Sequence, residues 1–475
     1  MNFQGFLVGT ITLTLGLTGC ALKKPQGRPN VALAPQYPGA LAHEGASAAA
    51  LEWRQIFIDP RLQKLIELAL KNNQDLRIAA LNVDATRQQF RIQRAEQYPH
   101  VGASGSYQRS NAPASVAVAG IGGNSGGQQT SSFQYGQYGV NATLSSYEID
   151  LFGRLRALSR AASERYLASE ESRRAAQIAL IAGVAEAHFA ERLAREQLAL
   201  TEKTLGNWKV SLAITQKRHD AGQASGIEIE QAKGLVMQAE ADLENRRRAL
   251  QRSMDALELL VGGQLPADLP QGDSLLSQQT REQLPAGLPS DLLLLRPDIR
   301  AAEHDLLAAH ANVSAARAAF FPRISLTGAI GLSSLAFGGL FNADNQNWSY
   351  SPLITQPIFQ AGQLKGEYRL SKLRESIQIV TYEKIVRIAF REVADALAGR
   401  ATYQQQLEAQ QAAVASARRR TTLSDQRYHA GAFNRLELLD SQRSEYTAEQ
   451  TLLELKAESY SNITQLYRVL GGGAK

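Results

Sequence analysis

Two carboxylates late in the chain stand out for their spacing. Glu437 and Asp440 lie three residues apart in a helical pattern that begins after Gly431, so one helix face carries both side chains. Asn434 and Glu437 also have the spacing of a capping box, in which the glutamate bonds to the start of its own helix. The pair therefore offers either a helix cap or a patch of negative charge.

Two glycines each follow a long helical pattern. Gly222 and Gly431 are 209 residues apart, and a glycine after a helical run commonly adopts the left-handed conformation that ends the helix. The pattern predicts two helical hairpins with tips at residues 219–226 and 429–435, one in each half of a duplicated chain.

The duplication separates the acids into two kinds. Glu228 is the counterpart of Glu437 at the same offset of 209 residues, so helix capping explains both. The counterpart of Asp440 is Gln231, and capping does not account for an acid there. We therefore expect Asp440 to act beyond its own helix, whereas a cap and a functional role both stay open for Glu437.

No pattern of an enzyme accompanies these acids. The seven histidines lack metal-ligand spacing, and the sequence contains no HExxH, P-loop or GxSxG motif. The net charge of +6 is spread along the chain, and the arginine triplets at 246–248 and 418–420 lie in helical patterns with acids nearby. We predict no enzymatic activity, no cofactor other than a covalent lipid, and no nucleic-acid partner.

An uncharged, mostly apolar or small segment opens the chain. Its nineteen residues end at Leu17-Thr18-Gly19, directly before Cys20. This stretch resembles the lipobox of bacterial lipoprotein signal peptides, which implies a signal peptide at 1–19 and a covalent lipid on Cys20. Cys20 is the only cysteine, so a disulfide within one chain is excluded. The alternative is an incidental thiol after a short membrane anchor.

Helical and strand-like patterns follow the same order in both halves of the chain. The expected segments are an extended lead at 20–58, a first repeat at 59–261, a linker at 262–296 rich in glycine and proline, a second repeat at 297–470, and a tail at 471–475. Alternation with a period of two predicts strands near 99–110, 132–147, 322–334 and 346–360.

The four strands have the length that crosses a bilayer at a tilt, and small or polar residues alternate with apolar ones along them. Four strands cannot close a barrel, and an open edge in lipid leaves backbone groups unpaired. The sequence therefore predicts a membrane barrel shared by several copies of the chain, with long polar helices packed beyond it. The edge of a soluble sandwich is the alternative for the strands.

Several sequence blocks resemble one family. Residues 287–303 read GLPSDLLLLRPDIRAAE and residues 316–328 read ARAAFFPRISLTG, with SYEIDLFG at 146–153 and LGGG at 470–473. They are similar to the outer-membrane factors of tripartite efflux pumps, in the lipoprotein branch that serves resistance-nodulation-division pumps. The likeness covers the chain from Cys20 onward.

The resemblance implies a fold class, a location and partners. The expected fold is mainly α with a transmembrane β portion, built from a duplicated helix-strand-strand-helix-helix repeat. A homotrimer would form a twelve-stranded β-barrel that continues into a long periplasmic α-helical barrel. The expected partners are a periplasmic adaptor protein, an inner-membrane resistance-nodulation-division pump and the lipid of the bacterial outer membrane.

The resemblance also assigns roles at the helical tips. In such channels, carboxylates after the second tip narrow the periplasmic end, and the matching residues are Glu437 and Asp440. Three subunits would give acidic rings that favour cations. Arg435 is expected to pair with an acid of a neighbouring hairpin as a latch, and Glu228 is a further candidate for the gate or latch.

The expected function is therefore a passive, trimeric exit channel of a multidrug or toxic-compound efflux pump, gated at its periplasmic tip. A duct for protein secretion shares this architecture and is the alternative within transport. A lipid-anchored coiled-coil structural protein or adhesin is the alternative of a different class.

Overall fold

The computed structural model describes residues 29, 31, 52–113, 132–278, 296–430 and 435–472 of the 475-residue chain. Two compact units contain them. The strand unit comprises the described parts of 85–166 and 305–379, and the helix unit comprises those of 28–84, 167–304 and 380–475. The predicted signal peptide at 1–19, Cys20 and most of the lead at 20–58 lie outside the described residues.

The chain is mainly helical. Its α-helices are α1 (Trp53–Ile56), α2 (Pro60–Asn72), α3 (Gln74–Ala95), α4 (Arg154–Asp220), α5 (Gly226–Val261), α6 (Pro297–Ala318), α7 (Gln363–His429) and α8 (Arg435–Val469). Its strands are β1 (Val101–Pro113), β2 (Ser132–Ile149), β3 (Arg323–Ser334) and β4 (Gln346–Thr355). Within the described ranges, none of the helices is both long enough and apolar enough to cross a membrane.

The strand unit contains one four-stranded sheet in the order β1-β2-β3-β4, with every neighbouring pair antiparallel. The strand β4 is shorter than the predicted 346–360, because Thr355 pairs with Arg323, the first residue of β3, and no partner residue follows. The strands β1 and β4 form the two edges of the described sheet.

Apolar side chains from α1, α2 and α4 to α8, together with Leu275 of the linker, form the core of the helix unit. Aromatic rings fill its largest spaces: Phe57 meets Tyr467 edge to face at 5.5 Å, and Phe189 stacks on Tyr460 at 5.0 Å between ring centroids. Such rings contribute both buried area and a preferred packing geometry. The amphipathic pattern of α2 supplies four further core residues, Leu62, Leu65, Ile66 and Ala69.

The apolar periodicity that begins at Asp59-Pro60 predicts one helix to about Gln97, and this prediction is wrong, because the structure has two helices, α2 and α3. The helix α2 ends where Asn73 takes an extended conformation, with ψ of 128°. The Asn73 side chain accepts from the N–H of Leu76 at 2.9 Å, which caps α3, and donates to the carbonyl of Leu260 at 2.9 Å. The break thus follows from a contact with the distant end of α5.

Gly262 ends α5 at this same place. Its φ is +81°, and its N–H donates to the carbonyl of Glu258 at 2.9 Å. A Cβ on Gly262 would lie 2.6 Å from the carbonyl oxygen of Asn72. Both the left-handed backbone and the close approach therefore require glycine.

A buried arginine joins the start of the second half of the chain to its end. Arg296 contacts Asp298 with two nitrogens, at 3.0 and 2.6 Å, and donates to Glu392 at 2.9 Å and to the carbonyl of Val469 at 3.1 Å. Burial would lower the pKa of Arg296, but the hydrogen bonds and charges of Asp298 and Glu392 outweigh it and raise that pKa. The segment Arg296-Pro297-Asp298 thus joins α6 to α7 and α8.

A buried carboxylate joins the N-terminal helices to the linker. Asp59 caps α2, as its position before Pro60 predicts, and is almost fully buried. Its two oxygens meet five groups: the N–H of Arg61 at 2.7 Å, the N–H of Leu62 at 3.1 Å, the N–H of Asp273 at 3.2 Å, the Gln278 amide at 2.7 Å and His188 Nε2 at 3.4 Å. Burial alone would raise the pKa of Asp59, but the hydrogen bond and charge of His188, with the two helix amides, lower it.

We expect Asp59→Asn to lower the free energy of unfolding by about 3 kcal/mol, because its NH₂ group would face the donors of Asp273 and Gln278. Guanidinium unfolding followed by circular dichroism measures this. The control is Asp75→Asn, which changes an exposed acid in the first turn of α3. Because the folded-state pKa lies below the ordinary 3.8, the stabilisation is present above pH 3.8 and disappears as the pH falls through the folded-state pKa. Equal stability of Asp59→Asn and the wild type at neutral pH would contradict this role.

Candidate functional site

The helices α4 and α5 meet in a tight turn at the first tip. The N–H of Gly222 donates to the carbonyl of His219 at 2.8 Å, and the N–H of Gln223 donates to the carbonyl of Arg218 at 2.7 Å. Gly222 has a φ of +72°, a left-handed conformation in which a side chain is strained. The turn closes a hairpin of two long helices.

Ser225 and Glu228 have the spacing of a capping box, but only one of its two hydrogen bonds forms. The Ser225 Oγ accepts from the N–H of Glu228 at 3.3 Å and caps α5. The Glu228 carboxylate has neither a hydrogen bond nor an ion pair with any residue that the structure describes. The helix start therefore depends on Ser225 rather than on the glutamate.

At the second tip, α7 ends at His429 and α8 begins at Arg435. The predicted turn residue Gly431 and the predicted cap Asn434 lie outside the described residues. Glu437 is exposed in the first turn of α8, where a negative charge favours the positive end of the helix dipole.

Arg435 lies in a junction between the two hairpins of one chain. Its side chain donates to the hydroxyl of Ser211 on α4 and lies over the Tyr428 ring, with the guanidinium carbon 5.1 Å from the centroid. Arg218 approaches the same ring at 5.2 Å and hydrogen-bonds to its hydroxyl. Arg435 is only 7% exposed. Within the described part of this chain, Arg435 contacts a hydroxyl and an aromatic ring and no carboxylate, and its pairing with an acid of a neighbouring hairpin stays a prediction.

Asp440 has two charged partners in its own hairpin. Its carboxylate meets Arg420 of α7 at 2.9 Å and Arg443 of α8 at 2.8 Å, and all three side chains remain partly exposed to solvent. We name these three residues the tip triad. Arg420 lies on the other helix of the hairpin, so Asp440 makes a contact beyond its own helix.

The sequence contains a signal for the two arginines that sequence reasoning missed. At the offset of 209 residues, the counterparts of Arg420 and Arg443 are Ser211 and Gly234, just as that of Asp440 is Gln231. Comparing every charge of one hairpin with the other would have included the two arginines with the acid, among other charges such as Arg419, whose counterpart is Val210.

A second polar cluster connects α4, α5 and α8. Tyr446 donates to Asp242 at 2.5 Å and contacts the Thr201 hydroxyl at 2.8 Å, while Arg246 lies 3.3 Å from Asp242. Burial, together with the hydrogen bond and charge of Asp242, raises the pKa of Tyr446. The phenol therefore stays protonated and continues to donate at neutral pH.

Metal ions require sets of ligand side chains that lie close together. The part of the chain that the structure describes contains no group of His, Cys, Asp and Glu side chains that could hold a metal ion. Cys20 lies outside the described residues. The arrangement at the tips thus offers charge and helix–helix contacts, which suit a passage for solutes.

The comparison with known families decides the identity. The sequence matches the family described as "Outer membrane efflux protein" over residues 65–263 and 288–472. The chain belongs to the outer membrane efflux protein family. Both matched stretches include a long helical hairpin and its tip.

Named relatives are similar to this outer membrane efflux protein over nearly their full length. The toluene efflux pump outer membrane protein TtgI of Pseudomonas putida is 42% identical over 465 residues, which are 97% of this chain and 96% of the relative. The outer membrane protein OprJ of Pseudomonas aeruginosa is 38% identical, with 100% of this chain and 97% of the relative covered. The open state of the MtrE outer membrane channel of Neisseria gonorrhoeae has a TM-score of 0.86 at 38% identity, with 95% and 98% covered.

The chain is therefore the outer-membrane channel component of an efflux pump and has no enzymatic role. It resides in the bacterial outer membrane. The resemblance to efflux channels is confirmed, and the alternatives of a secretion duct and of an adhesin are set aside.

Proposed function

We propose that this outer membrane efflux protein works as a homotrimer whose twelve strands form one barrel, continued by a periplasmic barrel of helices from duplicated repeats. The trimer receives solutes through a periplasmic adaptor protein from an inner-membrane resistance-nodulation-division pump. The observation that supports the trimer is the described sheet, which has four strands and two edges in the part of the chain that the structure covers. A membrane sheet needs its edges paired, since lipid offers no hydrogen bonds to backbone groups.

The order and direction of the strands allow closure by identical copies. Because neighbouring strands alternate in direction, β1 and β4 run in opposite senses, and β4 of one copy fits antiparallel beside β1 of the next. The side chains of β4 are all exposed in the single chain, including Trp348 and Tyr350, which stack at 5.8 Å. Such aromatic side chains suit the interface between lipid and water.

Disulfides between β1 and β4 test the trimer. We expect Ser106→Cys on β1, combined in turn with cysteines at 347–353 on β4, to give covalent trimers on non-reducing gels for at least one position. The control is Gln137→Cys with Ser333→Cys. The native side chains of these two residues meet within one chain at 2.7 Å, so this double variant should run as a monomer. If the whole scan yields only monomers, the closed barrel of identical copies is refuted.

We expect a lipid on Cys20 to tether the N-terminus to the outer membrane. The supporting observation is the uncharged segment that ends at this single cysteine. Cells grown with labelled palmitate should incorporate the label into the wild-type protein and not into Cys20→Ala. Equal labelling of both proteins would refute the lipid at this position.

The proposed gate lies at the helical tips. Glu437 and Asp440 share one face at the start of α8, and Arg435 holds that helix start against Ser211 of α4 and the Tyr428 ring of α7. In a trimer, three copies of this face would surround one aperture. Motion of α8 away from α4 would widen the aperture, so the Arg435 junction acts as a latch within each subunit.

Single-channel recording tests the gate. We expect Asp440→Ala, alone or with Glu437→Ala, to raise the conductance of purified trimers in planar bilayers by about twofold or more and to shift the ion preference toward anions. Glu230→Ala is the control, since Glu230 is an exposed acid in the first turns of α5 on the other hairpin. Conductance and ion preference that stay at the wild-type values in both Asp440 variants would rule out the gate.

A further inference from the structure

The tip triad is confined to one of the two hairpins. Arg420, Asp440 and Arg443 form two ion pairs at 2.9 and 2.8 Å. The residues 209 positions earlier are Ser211, Gln231 and Gly234, none of which carries a charge. One hairpin thus has two cations and an anion where the other has none.

Both hairpins share an ion pair close to this position. Lys209 meets Glu240 at 2.7 Å on the first hairpin, and Arg418 meets Glu449 at 2.5 Å on the second. Each member of the first pair lies 209 residues before its equivalent in the second. This pair bridges the two helices of each hairpin at the same level, so it accounts for hairpin packing without the triad.

Stability does not explain why the triad is present. Arg420, Arg443 and Asp440 are 53%, 61% and 42% exposed as side chains, and ion pairs in such surroundings contribute little to folding. Their charges instead act on the solvent beside them, where a fixed charge changes the local concentration of mobile ions.

We propose that Arg420 and Arg443 balance the carboxylates of Glu437 and Asp440, so that the periplasmic aperture admits anionic as well as cationic solutes. This inference rests on the proposed gate, which brings the three copies of this face around one opening. Each subunit would contribute two positive and two negative charges there. The acidic rings expected from Glu437 and Asp440 alone are thus replaced by rings of mixed charge.

The ratio of potassium to chloride permeability, measured from reversal potentials of purified trimers in a KCl gradient, tests the balance. We expect the wild type to lie within about twofold of unity, because opposite charges at similar distances cancel. Arg420→Gln with Arg443→Gln should shift the ratio several-fold toward potassium, and Asp440→Asn should shift it toward chloride. The control is Arg419→Gln, which removes an exposed arginine that makes no ion pair with the described residues and should leave the ratio within twofold of the wild type.

The outcomes separate this inference from the gate on which it rests. Conducting trimers whose permeability ratio is the same in the wild type and in the double arginine variant would overturn the charge balance alone. A strongly potassium-selective wild type would overturn it as well. Trimers whose conductance does not respond to Asp440→Ala would overturn the proposed gate and, with it, the role of the arginines.

Discussion

The buried carboxylate of Asp59 is the constraint on which the helix unit depends. It holds the start of α2, the linker at Asp273 and Gln278, and the side chain of His188 on α4 around two oxygen atoms. Tyr460 of α8 extends the same network by donating to the carbonyl of Gln278 at 2.9 Å. Because a buried charge is costly without partners, these segments must come together for any of them to be stable.

The two hairpins share their helix lengths and one ion pair but differ in the charged residues near their tips. The helices α4 and α7 have 67 residues each, and the ion pairs Lys209–Glu240 and Arg418–Glu449 lie at equivalent levels. The contacts around the Tyr428 ring join the two hairpins. Arg218 of the first hairpin and Arg435 of the second both lie over this ring. In the proposed gate, one hairpin would move against the other while the helix packing within each hairpin is kept.

The periodicity of apolar residues predicted most of the helices and strands, because their positions depend on local sequence patterns. The two hairpins and four strands appear within a few residues of their expected positions, and the cap at Asp59 follows from the Asp-Pro pair. Long-range contacts account for what was missed. The break at Asn73 depends on Leu260, which is 187 residues away, and the partner of Arg435 is 224 residues away. Pairing of Asp440 with Arg420 requires the register between two helices, which no local pattern contains.

The open edges of the sheet also bear on how such a channel reaches its membrane. The described residues of one chain supply four strands, so in the proposed trimer no copy can satisfy the outer backbone groups of β1 and β4 until its neighbours are in place. Insertion then becomes a collective event, with a rate that rises steeply with the local number of subunits. The core of the helix unit, by contrast, lies within one chain and needs no neighbouring copy to form. Biogenesis would thus proceed from the periplasm toward the lipid.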